Sequence, residues 1–144
     1  MSSIKFYPLT VKEVRPETAD CVSVSLQVPE HLKETFNFKP GQYLTFRTNI
    51  AGTEVRRSYS ICTSPADCDL RVAIKKVQDG KFSTWANEDL KAGDVLETMP
   101  PMGNFTPTEP MTGKNYLAFV AGSGITPAFS IMKTALEQDN ANTF

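Results

Sequence analysis

Along the first hundred residues apolar side chains come in short bursts, each ended by proline, glycine or aspartate, and only one stretch departs from a two-residue rhythm. At 21–28, Val22, Val24, Leu26 and Val28 alternate with polar or small residues, the pattern of a strand with one face in a core. Paired with 10–14, this segment predicts a first hairpin. Further strands are predicted at 42–47, after the Pro40-Gly41 turn, and at 57–63, 70–77 and 95–99, the last following Gly93-Asp94. The exception is 83–90, where Ser83 can cap a short helix whose Trp85, Ala86 and Leu90 share a face. Six strands suffice to close a barrel, so the expected fold for 1–108 is mainly β: a six-stranded antiparallel Greek-key barrel with one short helix.

The rhythm changes after a connector rich in proline and threonine at 106–112. Residues 116–121 are continuously apolar, Gly122-Ser123-Gly124 follows, and then Ala128, Ile131, Met132, Ala135 and Leu136 fall on one helical face with Pro127 in the first turn. Strand, glycine turn and helix together read as the opening of a parallel α/β domain. A single such unit cannot cover both faces of a sheet, so 109–144 is expected to be only the connector, first strand and first helix of that domain.

Composition narrows the function. With 144 residues and 40% apolar content the chain can bury one sizeable core. Its net charge of -1, with scattered basic residues, gives no footprint for nucleic acid or an anionic membrane. Residues 1–8 lack a charged start leading into an apolar run, and eighteen apolar residues nowhere occur together, so a soluble cytoplasmic protein is expected. Cys21, Cys62 and Cys68 include no C-x-x-C pair and His31 is the one histidine, which argues against a metal site and for three free, buried or half-buried thiols. His31 reads as a solvent-facing loop residue, and Met99, Met102 and Phe105 as barrel closure and aromatic cover.

The chemistry concentrates in Arg57-Ser58-Tyr59-Ser60. Strand alternation puts Arg57 and Tyr59 on one side and Ser58 and Ser60 on the other. A cationic fork, an aromatic plate and a hydroxyl can bind a phosphate, stack on a ring and hydrogen-bond a ring nitrogen. A half-buried strand accounts for the same four residues equally well. Gly80 to Thr84 open the short helix, whose free N–H groups favour an anion, and capping by Ser83 can coexist with that role. Trp85 reads as core.

Arg57-x-Tyr59-Ser60 resembles the flavin signature of the ferredoxin–NAD(P)H reductase family, and three further elements follow in the family's order. Gly80-Lys81-Phe82-Ser83 resembles its Gly-x-x-Ser/Thr turn, Pro101-Met102-Gly103-Asn104-Phe105 its Pro-x-Gly-x-Phe segment, and Gly122-Ser123-Gly124-Ile125-Thr126-Pro127 the glycine loop opening its nicotinamide domain. Residues 38–43, 56–62 and 121–127 look closest to the branch that serves oxygenases, such as the phenylacetyl-CoA epoxidase reductases of phenylacetate degradation. The resemblance implies a flavin-binding barrel, FAD as cofactor, NAD(P)H as electron donor, and an iron-sulfur protein or oxygenase component as acceptor.

Carried onto this chain, the resemblance has Arg57 pair with the flavin diphosphate, with Ser58 beside it. Tyr59 packs on the isoalloxazine and Ser60 bonds near its N5. Ile74 and Lys75 make secondary contacts from their strand. Lys81, Phe82, Ser83 and Thr84, with Gly80, receive the diphosphate. Gly122, Gly124 and Thr126 adjoin the incoming nicotinamide, and Ser60, Tyr59 and Thr126 are the expected catalytic residues. The rival expectation is a non-enzymatic flavin-binding or interaction module without a nicotinamide domain.

Overall fold

A computed structural model describes residues 5–144; residues 1–4, which begin the expected barrel domain and the stretch read for a leader, lie outside the described residues. Six strands form one antiparallel sheet: β1 (Tyr7–Thr18), β2 (Cys21–Gln27), β3 (Tyr43–Ile50), β4 (Thr53–Ser60), β5 (Leu70–Lys75) and β6 (Val95–Thr98). Their order is β4-β3-β6-β1-β2-β5, so β6 enters between β1 and β3 in Greek-key fashion. Two helices accompany them, α1 (Lys81–Glu88) and α2 (Ile125–Gln138). Irregularities in the β1–β2 register, between Val11 and Glu13 and between Pro16 and Thr18, bend the long β1 so that it also pairs with β6.

The ends of the sheet meet incompletely. Ile61 bridges Val72, and the Cys62 N–H donates to the Arg71 carbonyl at 2.9 Å, but no ladder joins β4 to β5. The seam is filled by α1, whose Phe82 enters the core with Leu9, Leu44, Phe46, Ile61, Val72, Ile74 and Leu96. That helix starts two residues earlier than the sequence pattern predicts. Gly80, extended at φ -80 and ψ 102, is the capping residue, so Ser83 lies within the first turn and does not cap.

β2 is more deeply covered than its alternation predicts, because Ser23 and Ser25 on its outer face are also buried. A charged network lies over them. The Arg71 guanidinium donates to Asp69 Oδ2 at 2.8 Å and Ser23 Oγ at 2.9 Å, and also pairs with Glu13. Ser23 in turn donates to Glu17 at 2.6 Å, and Ser25 to Asp69. A nearly buried cation is tolerable here because each of its nitrogens has an acceptor.

α2 docks on the barrel through polar groups as well as apolar ones. Ser130 and Thr134 are buried on it, Ser130 Oγ donates to the Thr63 carbonyl at 2.6 Å, and Lys133 pairs with Asp67. The apolar face predicted from Ala128, Ile131, Met132, Ala135 and Leu136 is buried only at Ala128 and Ala135. The strand expected at 116–121 does not form. Apart from a parallel bridge between Asn115 and Thr143, this stretch has no ladder, and Leu117 and Phe119 are 81% and 91% exposed. An apolar run becomes a strand only where a neighbour can pair with it, and here none does among the described residues.

Other expectations need correction. Phe105 is exposed and Met102 nearly half so; the closure of this corner comes from backbone, with Gly41 pressed against the Phe105 carbonyl. Cys68 is exposed rather than half-buried, because the turn Pro65–Asp67 holds it in the left-handed region at φ 51. His31 is exposed as expected, within the short turn Glu30–Leu32. Among the described residues no helix is long and apolar enough to cross a membrane.

Candidate functional site

The seam between β4 and β5 brings the sequence motifs together. β4 keeps an unbroken register with β3 from Ile50–Thr53 to Tyr43–Ser60, so the alternation of its side chains holds throughout. Val55 is buried and Tyr59 half-buried on the face turned toward α1, and Arg57 lies between them. Ser58 points the other way and shares a 2.8 Å hydrogen bond with Thr45 Oγ. Ser60, half-buried, ends the strand opposite Tyr43.

Tyr59 is locked by aromatic neighbours. Its ring lies 5.7 Å from Phe82 and 6.2 Å from Phe46, and Phe82 is itself stacked on Phe46 at 6.1 Å. Burial raises the Tyr59 phenol above its ordinary pKa despite the opposing charge of Arg57, so it stays neutral through the physiological range. Its remaining exposure leaves a flat apolar surface at the end of β4.

The guanidinium of Arg57 is exposed and donates only to the neighbouring Arg56 carbonyl, at 2.7 Å; it forms no ion pair among the described residues. Lys81 is likewise exposed at the start of α1. Thr84 N–H closes the first helical bond to Gly80, which leaves the N–H groups of Lys81, Phe82 and Ser83 without acceptors among the described residues. Arg57 thus precedes Tyr59 on its strand, and the open helix end with Lys81 adjoins Phe82, which packs on Tyr59; these are the electrostatics of an anion site.

Not every expected contact survives. The Ile74 side chain is fully buried in the barrel, so it can face no cofactor, and its carbonyl is taken by Asn87 at 3.0 Å. Lys75 is exposed with its ammonium 3.6 Å from Asp20, in the β1–β2 turn. Phe82 offers only its backbone, because its ring is core. Ser83 Oγ is occupied locally, accepting from Val77 N–H at 3.2 Å and donating to the Gly80 carbonyl at 3.3 Å. Gly80 is explained by packing: a Cβ there would sit 2.4 Å from that hydroxyl and 2.5 Å from Val77.

The glycine loop leads into α2, which docks beyond the Ser60 end of β4. Gly122 has φ +54, which suits a residue without a Cβ, and Gly124 precedes α2 as its capping residue. Thr126 is therefore within the first turn rather than at the cap, and its hydroxyl donates back to the Ser123 carbonyl at 2.9 Å. Ser130, one turn further along α2, rests on Thr63, three residues beyond Ser60. The fold thus carries Gly124 and Thr126 toward the Tyr59–Ser60 end of the seam.

The sequence points to Lys81 but not to the cleft it shares with Trp85 and Asp89. Lys81 and Trp85 on α1 and Asp89, the residue capping its end, recur at four-residue intervals and line a cleft of about 380 Å³ against Ile50, Ala51 and Thr53, where β3 turns into β4. Helical spacing was the available signal, hidden because Trp85 also packs on Phe82, at 5.5 Å.

These features define a barrel domain able to hold an extended anionic cofactor with a flat ring at one end. The profile of the oxidoreductase FAD-binding domain family matches residues 8–106. The chain belongs to this family, among the FAD-dependent oxidoreductases of the ferredoxin–NAD(P)H reductase type, and FAD is its cofactor. It is 42% identical over 141 residues to a subunit of the 1,2-phenylacetyl-CoA epoxidase of Escherichia coli (strain K12), covering 96% of this chain and 39% of that protein. It is 43% identical over 132 residues to the ferredoxin reductase component of 3-ketosteroid-9-alpha-monooxygenase of Rhodococcus rhodochrous, covering 90% and 37%. The chain thus spans about two-fifths of the length of these relatives. Among solved structures, the ferredoxin reductase in carbazole 1,9a-dioxygenase superposes with TM-score 0.75 at 30% identity, over 97% of this chain and 42% of that one. A ferredoxin NADP+ reductase from Neisseria gonorrhoeae with bound FAD and NADP shares the fold, with TM-score 0.77 at 22% identity over 96% and 55%.

The donors along the seam suit FAD. Arg57, Lys81 and three open N–H groups match a diphosphate, and the exposed side of Tyr59 matches a flat heteroaromatic ring.

Proposed function

We propose that this chain is the flavin-binding portion of a reductase that carries electrons from NAD(P)H, through FAD, to an iron-sulfur or oxygenase partner in the cytoplasm. The observation that carries the reading is the order along β4: Ser60 and Tyr59 at the end nearest α2, then Arg57, with the open end of α1 alongside. Bound FAD would supply the redox chemistry, accepting a hydride and releasing electrons singly.

The residues of the chain position and insulate. Tyr59, immobilised by Phe82 and Phe46, fixes the plane in which a ring can lie and excludes water from one side of it. Ser60 places a small hydroxyl at the strand end, able to hold or pass a proton at a ring nitrogen without blocking a face. Arg57 and Lys81 neutralise the diphosphate. Residues 109–144 open the nicotinamide-binding domain, with Gly122, Gly124 and Thr126 bringing the donor toward Ser60. The oxygenase systems named for the two relatives support an oxygenase or iron-sulfur acceptor.

The test is the visible spectrum of the purified chain and the mass of the cofactor released on denaturation. Flavin absorbance with FAD in the extract is expected. A colourless protein that takes up no added FAD would refute the proposal.

A further inference from the structure

Helices commonly dock through an apolar face, but α2 meets the barrel through small and polar side chains. Its buried residues are Ala128, Ser130, Thr134 and Ala135, and none of its larger side chains is among them. Two polar contacts key it in place. The fully buried Ser130 hydroxyl donates to the Thr63 carbonyl at 2.6 Å, and the Lys133 ammonium pairs with Asp67. Both receiving groups are held on the barrel side. Asp67 Oδ2 accepts the Ser64 N–H at 2.9 Å, and Thr63 Oγ donates to the Asp69 carbonyl at 2.6 Å. The chain between Ser60 and Thr63 is pinned as well: Ile61 is fully buried with its N–H on the Gln42 carbonyl, and the Cys62 N–H is on the Arg71 carbonyl, each at 2.9 Å. The Thr63 carbonyl is therefore a fixed point relative to Ser60, and Ser130 refers α2 to it.

We infer that Ser130 and Lys133 are positioning residues, which set the register of α2 against the 61–69 loop and so the place of Gly124 and Thr126 relative to Ser60. The inference rests on the nicotinamide role proposed above for the glycine loop. Thr126 and Ser130 are one helical turn apart, about 6 Å, so a rigid helix carries the register from the buried bond to the loop. Directional bonds suit this task, because apolar contact alone lets a helix face of small residues slide at little cost. A slip of one turn would move the glycine loop by about 5 Å, whereas reacting atoms must approach to about 3–3.5 Å. Ser130 opposes sliding along the helix axis. Lys133, three residues on and reaching a different point of the same loop, opposes rolling about it. Its ammonium also lies 3.8 Å from Glu137 on its own helix, which keeps the side chain on that face.

Pulsed EPR on the full chain tests this, with nitroxides carried by a ketone-bearing amino acid placed at two exposed positions, Asn49 on β3 and Ser123 in the glycine loop, so that the native cysteines stay unaltered. The unaltered chain should give one narrow distance population. Ser130→Ala and Lys133→Met should each add a population displaced by about 5 Å, one turn of helix, and Lys133→Arg, which keeps the ion pair, should restore the single one. FAD titration of the same variants separates positioning from collapse of the fold, because FAD affinity should stay within about twofold of the unaltered chain. Lys133 is partly exposed, so its variants keep the test available if Ser130→Ala fails to fold. An unshifted narrow population in both variants, a broad one in the unaltered chain, or the same displacement in Lys133→Arg overturns the positioning role and leaves the flavin reading intact. Failure of the unaltered chain to bind FAD overturns the reading on which the inference rests, and the inference with it.

Discussion

Tyr59 on β4 and Phe82 on α1 face each other at 5.7 Å, so the residue proposed to present a surface to the cofactor is fixed by the one that fills the seam. Two motifs more than twenty residues apart in sequence are thereby a single mechanical unit. Phe82→Ala should cost about 3–5 kcal/mol of stability, as expected for a fully buried phenylalanine. It should also lower FAD affinity more than Tyr59→Phe, which preserves the ring. Urea unfolding and flavin titration of the two variants check this; a Phe82→Ala protein of normal stability would contradict it.

Gly41 and Gly52 make a controlled pair. Both have positive φ, +98 and +80, but a Cβ on Gly41 would lie 1.8 Å from the Phe105 carbonyl, whereas Gly52 has open space around it. Gly52→Ala should cost about 1 kcal/mol, the ordinary penalty of a left-handed residue. Gly41→Ala adds a clash with fixed backbone and should cost at least about 3 kcal/mol. Thermal unfolding of both variants gives the comparison directly.

Acid sensitivity should come from the network around Arg71. Burial works to raise the Asp69 pKa, but the Ser25 hydroxyl and the Arg71 guanidinium outweigh it and hold the carboxyl below its usual range. Glu17 is held low by Ser23 and Arg15. A carboxyl whose pKa is lowered by folding stabilises the fold above its unfolded pKa, and that contribution disappears as pH falls through the folded one. Stability should therefore be flat near neutrality and decline below about pH 4. Arg71→Met should destabilise by about 3 kcal/mol at pH 7, because it strands buried charge, and by less at pH 3. Urea midpoints measured at the two pH values test the sign.

The three cysteines should separate by reactivity. Burial pushes the Cys62 thiol up to about 11, and its hydrogen is directed at the Arg71 carbonyl. Burial raises Cys21 too, with Asp20 and Glu17 adding to the effect, while Cys68 is exposed. Brief alkylation of the native chain near pH 8, read by peptide mass, should label Cys68 first and Cys62 last. Rapid labelling of Cys62 would contradict the burial described.

The barrel was legible because local sequence dictates it. Val22, Val24 and Leu26 mark β2 by alternation, and Gly93 and Pro40-Gly41 mark turns that only a few residue types permit. What stayed hidden depended on contacts distant in the chain. Nothing near Ser23 or Ser25 indicates that Arg71, some fifty residues later, will cover them. Nothing near Ile74 indicates that its side chain enters the core while its neighbour Lys75 turns to Asp20. At the site, the aromatic and cationic residues of Arg57-x-Tyr59-Ser60 were visible as chemistry. The cleft wall formed by Ala51 and Thr53 was not, because it exists only once β3 and β4 fold back beside α1. The apolar run at 116–121 misled for a related reason: its composition suits a strand, but strand formation is decided by a partner.

A cylinder whose wall is left unstitched along one side exchanges rigidity for length. Just beyond the end of β4, the Ile61–Val72 bridge and the Cys62–Arg71 hydrogen bond tie the chain to β5, and among the described residues the rest of β4 has a free margin. A sealed barrel of six strands has only a crowded interior to offer, whereas an open margin is a berth as long as the strand itself. A long, thin cofactor laid there becomes in effect a further stave, and the place where the wall is weakest alone is where binding can reinforce it most.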